Sequence, residues 1–193
     1  MEQSRLSAVG RQLFKVIEFD KDETLIYEIR KDPFGLFVVY LTGIFVAVAI
    51  FLLMVVGPGM LGNDALGSDV SLTDFKVILA LFGGLLTILT IIGTAIGAYL
   101  YQSNVVIVTS EKLAQVLYKS IFDRKISQLS VGDVQDVTVS QKGLLARAFD
   151  YGTLYVETAG EQSNFTFSYT PKPYEAAKAI IFAHEENLKK FGN

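Results

Sequence analysis

The run FGLFVVYLTGIFVAVAIFLLMVV, residues 34–56, decides what kind of protein this sequence can form. It holds 23 residues without a charged side chain or a proline, and a second such run, VILALFGGLLTILTIIGTAIGAYLY, fills residues 77–101. An α-helix rises about 1.5 Å per residue, so either run can cross a hydrocarbon core of about 30 Å. The sequence therefore predicts a transmembrane α-helical hairpin with spans at residues 34–56 and 75–101.

The loop between the spans, residues 57–74, contains Asp but neither Lys nor Arg. Basic residues near span ends stay on the cytoplasmic side of a membrane. They flank the hairpin on both sides: Arg5, Arg11, Lys15, Lys21, Arg30 and Lys31 before it, and Lys112, Lys119, Arg124 and Lys125 after it. We therefore expect a multi-pass protein of the cytoplasmic (inner) membrane, with both termini in the cytoplasm and the loop outside.

The two spans differ from those of a transporter, because neither run contains Asp, Glu, Lys, Arg or His. Proton relays and ion pathways usually need such a residue inside the membrane. Gly93 and Gly97 form a Gly-x-x-x-Gly pattern, and Gly43 and Ala47 repeat the spacing in the first span. Small residues let helices approach closely in lipid, either within the hairpin or between two copies.

The N-terminal segment, residues 1–33, divides into a candidate helix and a candidate strand. Apolar residues recur at helical spacing with basic residues elsewhere on the wheel, which predicts an amphipathic helix. The apolar set is Leu6, Val9, Leu13, Phe14 and Ile17, and the basic set is Arg5, Arg11 and Lys15. Such a helix would lie on anionic lipid or dock on the cytoplasmic domain. The following ETLIYEIR alternates as a strand does.

After Gln102 the hydrophobic period changes to two, which indicates antiparallel strands. The predicted strands are NVVIVTS, LAQVLYKS, DVTVSQ, TLYVET and NFTFSY. A helix beginning at Tyr174 follows, and its apolar stripe is Ala177, Ile180, Ile181, His184 and Leu188. Residues 102–193 therefore predict an α+β cytoplasmic domain, a small β barrel or sandwich capped by a C-terminal helix, with Ile180 and Ile181 as structural residues.

Three motifs carry a resemblance over roughly residues 20–188. They are VTSEKL at residues 108–113, the segment I..L...DV..V at residues 126–137, and FDYGTL at residues 149–154. With two preceding spans, this pattern resembles the bacterial membrane-flanked proteins that contain a pleckstrin-homology-like (PH-like) domain. The resemblance implies a PH-like antiparallel barrel, with Thr109 before a turn and Gly152 leading into a strand. Family members usually place a basic residue soon after that Thr, and here only Lys112 can serve.

The residue types needed for catalysis and metal binding are scarce in this sequence. There is one histidine, His184, and no cysteine, which excludes the common zinc sites, and no phosphate-binding loop or nucleophile motif occurs. We therefore expect no enzymatic activity, no cofactor and no nucleic-acid partner. Gly152 is expected to have a positive φ or a close backbone neighbour.

Two functions remain open from the sequence. The first is a non-enzymatic, membrane-anchored PH-like module that mediates protein interaction or self-assembly at the cytoplasmic face. The alternative is a module that senses anionic lipids, although ten basic and ten acidic residues from Gln102 onward leave no net charge there. The candidate contacts for lipid or partner are Arg5, Arg11, Lys15, Lys112, Arg124, Lys125 and Arg147.

Overall fold

The computed structural model describes residues 6–7, 10–11, 17, 19, 22–60, 72–158 and 164–192, without the side chains of residues 72 and 73. Two compact units are present. One combines Met1–Leu36 with Leu100–Asn193 and is called the β unit below. The other, Phe37–Tyr99, is called the helical unit.

The elements follow one another in a simple order. The strands are β1 (Leu25–Arg30), β2 (Val105–Thr109), β3 (Lys112–Tyr118), β4 (Arg124–Ser130), β5 (Val134–Ser140), β6 (Tyr151–Thr158) and β7 (Phe165–Pro171). The helices are α1 (Pro33–Phe51), α2 (Leu72–Ser103), α3 (Leu144–Ala148) and α4 (Pro173–Phe191). A π-helical turn (Leu52–Val56) and a 3-10 turn (Gly57–Met60) continue α1, and a second 3-10 turn (Val131–Asp133) joins β4 to β5.

The strands form two antiparallel sheets, one in the order β1-β2-β3-β4 and the other in the order β5-β6-β7. This arrangement and the C-terminal helix confirm the predicted antiparallel PH-like fold. Strand β4 and helix α3 were not predicted, because RKISQLS alternates weakly and LLARA is too short for a helical period.

The first strand comes from the N-terminal side of the apolar helices, yet it pairs with the strand that follows them. Ile29 lies opposite Val106 and Arg30 opposite Val105, in antiparallel register. The sequence pattern places residues 1–33 in a segment of their own, whereas the structure adds a strand from that segment to the sheet of the cytoplasmic domain. Pairing satisfies the backbone of β2 and buries Ile29, which neither segment can achieve alone.

The core of the β unit lies between the two sheets and beneath α4. Val106, Val108 and Leu113 face Leu154, Phe167 and their neighbours in one apolar cluster. The opposite face of the first sheet forms a second cluster from Val105, Ile107, Ala114, Val116 and Ile17. Leu6 and Ile17 are buried, so these two residues of the N-terminal segment pack within the β unit.

Helix α4 caps the core with a face that differs from the predicted one. Ala176, Ala177, Ile180 and Ala183 are buried, as required of a cap. Ile181, however, is 44% exposed, so the structure contradicts its predicted burial, and Leu188 is 38% exposed. The small side chains of Ala176 and Ala183 let the helix approach the sheets along their line. Ile181 lies about 100° further around the helix than Ile180 and points to its outer side.

The helical unit contains most of the two long apolar helices. Residues Pro33–Met60 and Asp74–Ser103 are long and apolar enough to cross a membrane, and almost none of their residues are buried in the structure. Close packing occurs within the pair, because a Cβ on Gly43 would overlap Thr94, and one on Gly83 would overlap Met54. Gly93 has no such neighbour.

Candidate functional site

The end of the β unit at which the apolar helices join, residues 31–36 and 100–104, is called the junction end. Only Lys31 and Asp32 separate β1 from α1, and only Asn104 separates α2 from β2. The junction end therefore contains both points at which the apolar helices leave the β unit.

Aromatic rings connect the start of α1 to the second sheet at the junction end. Phe34 stacks on Phe149 and on Tyr151, with ring centroids 4.8 and 4.9 Å apart. Tyr151 stacks on Tyr169 at 5.3 Å, and Tyr101 meets Tyr169 edge-on at 6.0 Å. These five rings come from four separate segments of the chain, so only the folded structure brings them together.

Hydrogen bonds centred on Asp32 reinforce the same connection. The Asp32 carboxylate accepts from the backbone N–H of Phe34 at 2.7 Å, which caps α1 ahead of Pro33 at its first position. The Tyr101 hydroxyl donates to the Asp32 carbonyl at 2.7 Å, and the Asp32 N–H donates to the Tyr169 carbonyl at 2.6 Å. Both ends of the helical insertion are thus fixed to one buried residue.

Lys31 is a half-buried basic residue beside this network. Its ammonium donates to the Ser168 hydroxyl at 3.0 Å and lies 4.2 Å from the centroid of the Phe167 ring. Burial lowers the pKa of Lys31 to about 8 from 10.5, because the charged form loses hydration there. The Ser168 hydroxyl, which accepts from the ammonium, and the aromatic face of Phe167 compensate only part of that loss.

The turn between β3 and β4, residues 119–123, is called the hairpin tip. The Tyr118 N–H donates to the Asn104 side chain at 2.6 Å, so the turn continues past the point where α2 meets the sheet. Its two large apolar side chains are uncovered: Phe122 is 97% exposed and Ile121 is also exposed. The hairpin tip therefore projects from the junction end with two large apolar side chains uncovered.

The connection between β5 and β6 contains α3, and its residues 142–150 are called the helical tip. Leu144 is 83% exposed, and Leu145 and Phe149 are exposed as well, while Ala146 between them is buried. The contact between Phe34 and Phe149 places this tip at the junction end too. Two separate loops thus present apolar side chains at one end of the β unit.

Basic side chains accompany both tips. Arg124 and Lys125 follow the hairpin tip and Arg147 lies on α3, so the structure brings these three predicted contacts to one end. Lys119 and Lys142, which are not among the predicted lipid or partner contacts, join them. With Asp123 and Asp150 as the acidic residues, residues 119–125 and 142–150 have a net charge of +3.

Lys112, another predicted contact, lies at the opposite end of β2, called the turn end below. Its ammonium is 3.7 Å from the Glu23 carboxylate, which is buried. The hydroxyl of Thr109, fully buried, contacts the same carboxylate and accepts from the Lys112 N–H at 2.9 Å. Glu23 was not predicted, because nothing near it in sequence indicates a partner 86 residues away. Lys112 is thus remote from the basic cluster.

A groove of about 450 Å³ lies at the turn end beside the C-terminal part of α4. Gln128, Leu129 and Phe191 contribute to its lining. Asn187 donates to the Ser110 carbonyl at 2.9 Å, and His184 Nδ1 contacts the Val131 carbonyl at 2.8 Å. A carbonyl can only accept, so Nδ1 carries the proton, and the one histidine holds α4 in place.

The remaining predicted residues have these positions. Arg11 is exposed, and Arg5 and Lys15 lie outside the described residues. A Cβ on Gly152 would lie 3.0 Å from atoms of Gln141 and Pro173, which is the close approach expected. The positive φ does not occur at Gly152, and Asp150 takes the left-handed conformation instead, with φ 49°.

The sequence matches the family described as Bacterial PH domain over residues 34–181. Among solved structures it matches a DUF1696 family protein with a pleckstrin-homology domain from Shewanella loihica PV-4. The identity is 12% and the TM-score 0.34, over 42% of this chain and 70% of that one. A search of curated proteins gives no match.

Proposed function

The chain belongs to the bacterial PH domain family, and on that premise we propose that it is a non-enzymatic module anchored in the cytoplasmic membrane. The two apolar helices cross the bilayer with both termini in the cytoplasm. The PH-like β unit is held at the membrane surface, and its turn end, which faces the cytoplasm, binds a protein partner.

The observation that carries this proposal is the place of the helices in the fold. They are inserted between β1 and β2, which are hydrogen-bonded neighbours in one sheet. Helices whose apolar side chains are this exposed would be unstable in water, and a bilayer is the solvent that accepts them. The absence of Lys and Arg from residues 57–74 supports the orientation.

The insertion also restricts the β unit. A domain attached through one flexible linker could rotate freely beneath the membrane. This one has two connections of one and two residues, both tied to Asp32 and its partners. Two short connections keep the β unit close to the bilayer, which suits a docking platform at the membrane surface.

Two features of the turn end support a protein partner. The first is the groove beside α4, where Phe191 is exposed. The second is β4, whose outer edge pairs with no strand among the described residues. An open strand edge beside a groove accepts an extended peptide from another protein, because the peptide backbone completes the sheet and its side chains fill the groove.

Recognition of anionic lipid head groups is a second candidate, favoured by the net charge of +3 on residues 119–125 and 142–150. It concerns the junction end and therefore does not compete for the groove. Lys112 contributes to neither basic tip, because it lies at the turn end beside Glu23.

Cysteine substitutions test the orientation without labelling of other positions in the chain, because the chain has no native cysteine. A membrane-impermeant thiol reagent applied to intact spheroplasts should label Ser68→Cys in the loop and should not label Gln128→Cys on β4. After lysis both should react. Labelling of Gln128→Cys alone in intact spheroplasts would refute the orientation.

A photo-crosslinking residue tests the docking surface in the full chain. At Gln128 or Phe191 it should give defined protein adducts, whereas at Lys178, on the exposed side of α4, it should give none. The same adducts at all three positions, or adducts at none, would refute docking at the turn end while leaving the orientation result standing.

A further inference from the structure

We propose that the hairpin tip and the helical tip insert their apolar side chains into the interface of the same bilayer that holds the helices. This inference rests on the proposed anchoring and adds a second kind of membrane contact. Lipid surrounds the apolar side chains of both tips, and this contact fixes the tilt of the β unit on the membrane surface.

The register of the first sheet places the hairpin tip near the end of α2. Val105, the first residue of β2, lies opposite Val116, so β3 continues two residues further toward the junction end before it finishes at Tyr118. The tip follows directly. Arg124 pairs with Tyr118 and lies two residues from Phe122, so the backbone of Phe122 extends at most about 7 Å beyond that pair at strand spacing. Asn104 bonds to Tyr118 and also follows the last residue of α2. A bilayer around α2 therefore lies within reach of Phe122.

The helical tip lies beside the start of α1. Phe34 is the second residue of that helix, and its ring stacks on Phe149 of the tip. Gly143, with φ 94°, turns the chain so that α3 begins there. Ala146 then faces the β unit while Leu144 and Leu145 face outward. Lipid that surrounds the start of α1 therefore contacts Leu144 and Leu145.

The composition of the tips matches a membrane interface. Large apolar side chains at the end of each loop are uncovered, and they are Ile121, Phe122, Leu144, Leu145 and Phe149. Such residues insert to the depth of the head groups and upper acyl chains, as in peripheral membrane proteins. Tyr101, Tyr151 and Tyr169 lie beside them, and tyrosine is enriched at this depth because it has an apolar ring and a polar end.

The charges of the tips favour lipid over a protein partner. Five basic side chains surround the apolar ones, against two acidic ones, although the whole chain has a net charge of −3. The cytoplasmic leaflet is anionic, and its potential acts only within about one Debye length of the surface. A protein bound here would have to fit between the β unit and the bilayer, next to the residues where α1 and α2 begin and end.

Depth-dependent quenching tests the inference in the full chain. Single cysteines at Phe122 and Leu145 report on the tips, Phe45→Cys reports on the exposed side of α1, and Gln128→Cys is the control on β4. Each variant is labelled with an environment-sensitive fluorophore and reconstituted in vesicles of phosphatidylcholine and phosphatidylglycerol that contain spin-labelled lipid. All four positions are exposed, so none of the substitutions removes a core contact.

Phe122→Cys and Leu145→Cys should be quenched most by spin labels near the head groups, and Phe45→Cys by labels deep in the acyl chains. Gln128→Cys lies about 20 Å from Phe122 along the hairpin at strand spacing and should not be quenched. If Phe45→Cys is quenched while either tip behaves like Gln128→Cys, the inference is overturned and the anchoring stands. If Phe45→Cys is not quenched, the anchoring fails and the inference with it.

Discussion

Replacing Ile180 by Ala should destabilise the β unit far more than the same change at Ile181. Ile180 is 0% exposed, and Ile181 is 44% exposed on the outer side of the same helix. The two residues are adjacent and identical in type, so helix propensity changes equally in both variants. Their difference therefore measures only the packing of α4 on the sheets.

The magnitude follows from the atoms removed. Ile→Ala deletes three carbons, worth about 2.4 kcal/mol at about 0.8 kcal/mol each. At Ile180 the cavity left behind raises the loss in unfolding free energy to about 3–4 kcal/mol, inside the usual range for buried isoleucine. At Ile181 solvent fills the space, and about 1 kcal/mol or less is lost. The smaller change Ile180→Val should cost about 0.5–1.5 kcal/mol.

A buried thiol reports these differences in the full chain in mild detergent. Ala114, on β3, is fully buried, so a cysteine there reacts only when the β unit opens. When reclosure is fast, a loss of about 3 kcal/mol accelerates labelling about 150-fold, and a loss of about 1 kcal/mol about fivefold. Equal acceleration by Ile180→Ala and Ile181→Ala would refute the packing described for α4. If neither variant changes the rate, α4 does not contribute to the stability of the β unit.

Three further predictions use the same thiol, or the urea midpoint followed by circular dichroism. Gly152→Val should lower the free energy of unfolding by about 1–3 kcal/mol because the valine side chain meets packed atoms. Gly84→Ala, whose side chain enters open space, should not lower it, and equal effects of the two changes would contradict this prediction. Thr109→Val should lower the free energy of unfolding by about 1–3 kcal/mol, because it removes the buried hydroxyl that contacts the Glu23 carboxylate and accepts from the Lys112 N–H, and exposed Thr138→Val should lower it by less than about 0.5 kcal/mol. The folded pKa of Lys31, about 8, lies below its ordinary 10.5, so the unfolded chain binds more protons between these values, and stability should rise with pH there. Lys31→Met should remove that rise, and an unchanged slope would refute the assignment.

The sequence by itself predicts the local structure of this protein with few errors. The apolar runs at residues 34–56 and 77–101 form helices, and six predicted strands and the C-terminal helix are present. Each of these elements follows from hydrophobic periodicity or from an uninterrupted apolar run, which are properties of consecutive residues. The motif around Gly152 likewise indicates close packing that the structure shows.

The tertiary structure decided which of those elements meet. Residues 31–104 separate the paired strands β1 and β2, and no local pattern states that the strand before the helices belongs with the one after them. The same holds for Glu23 beside Thr109 and for Phe34 beside Phe149, because pairing and stacking depend on where the chain returns in space. The buried face of α4 includes the small residues Ala176 and Ala183, which allow a close approach to the sheets. A periodic apolar stripe shows which residues are apolar and not how closely each side of the helix approaches the sheets, so it could not exclude Ile181 from the buried face.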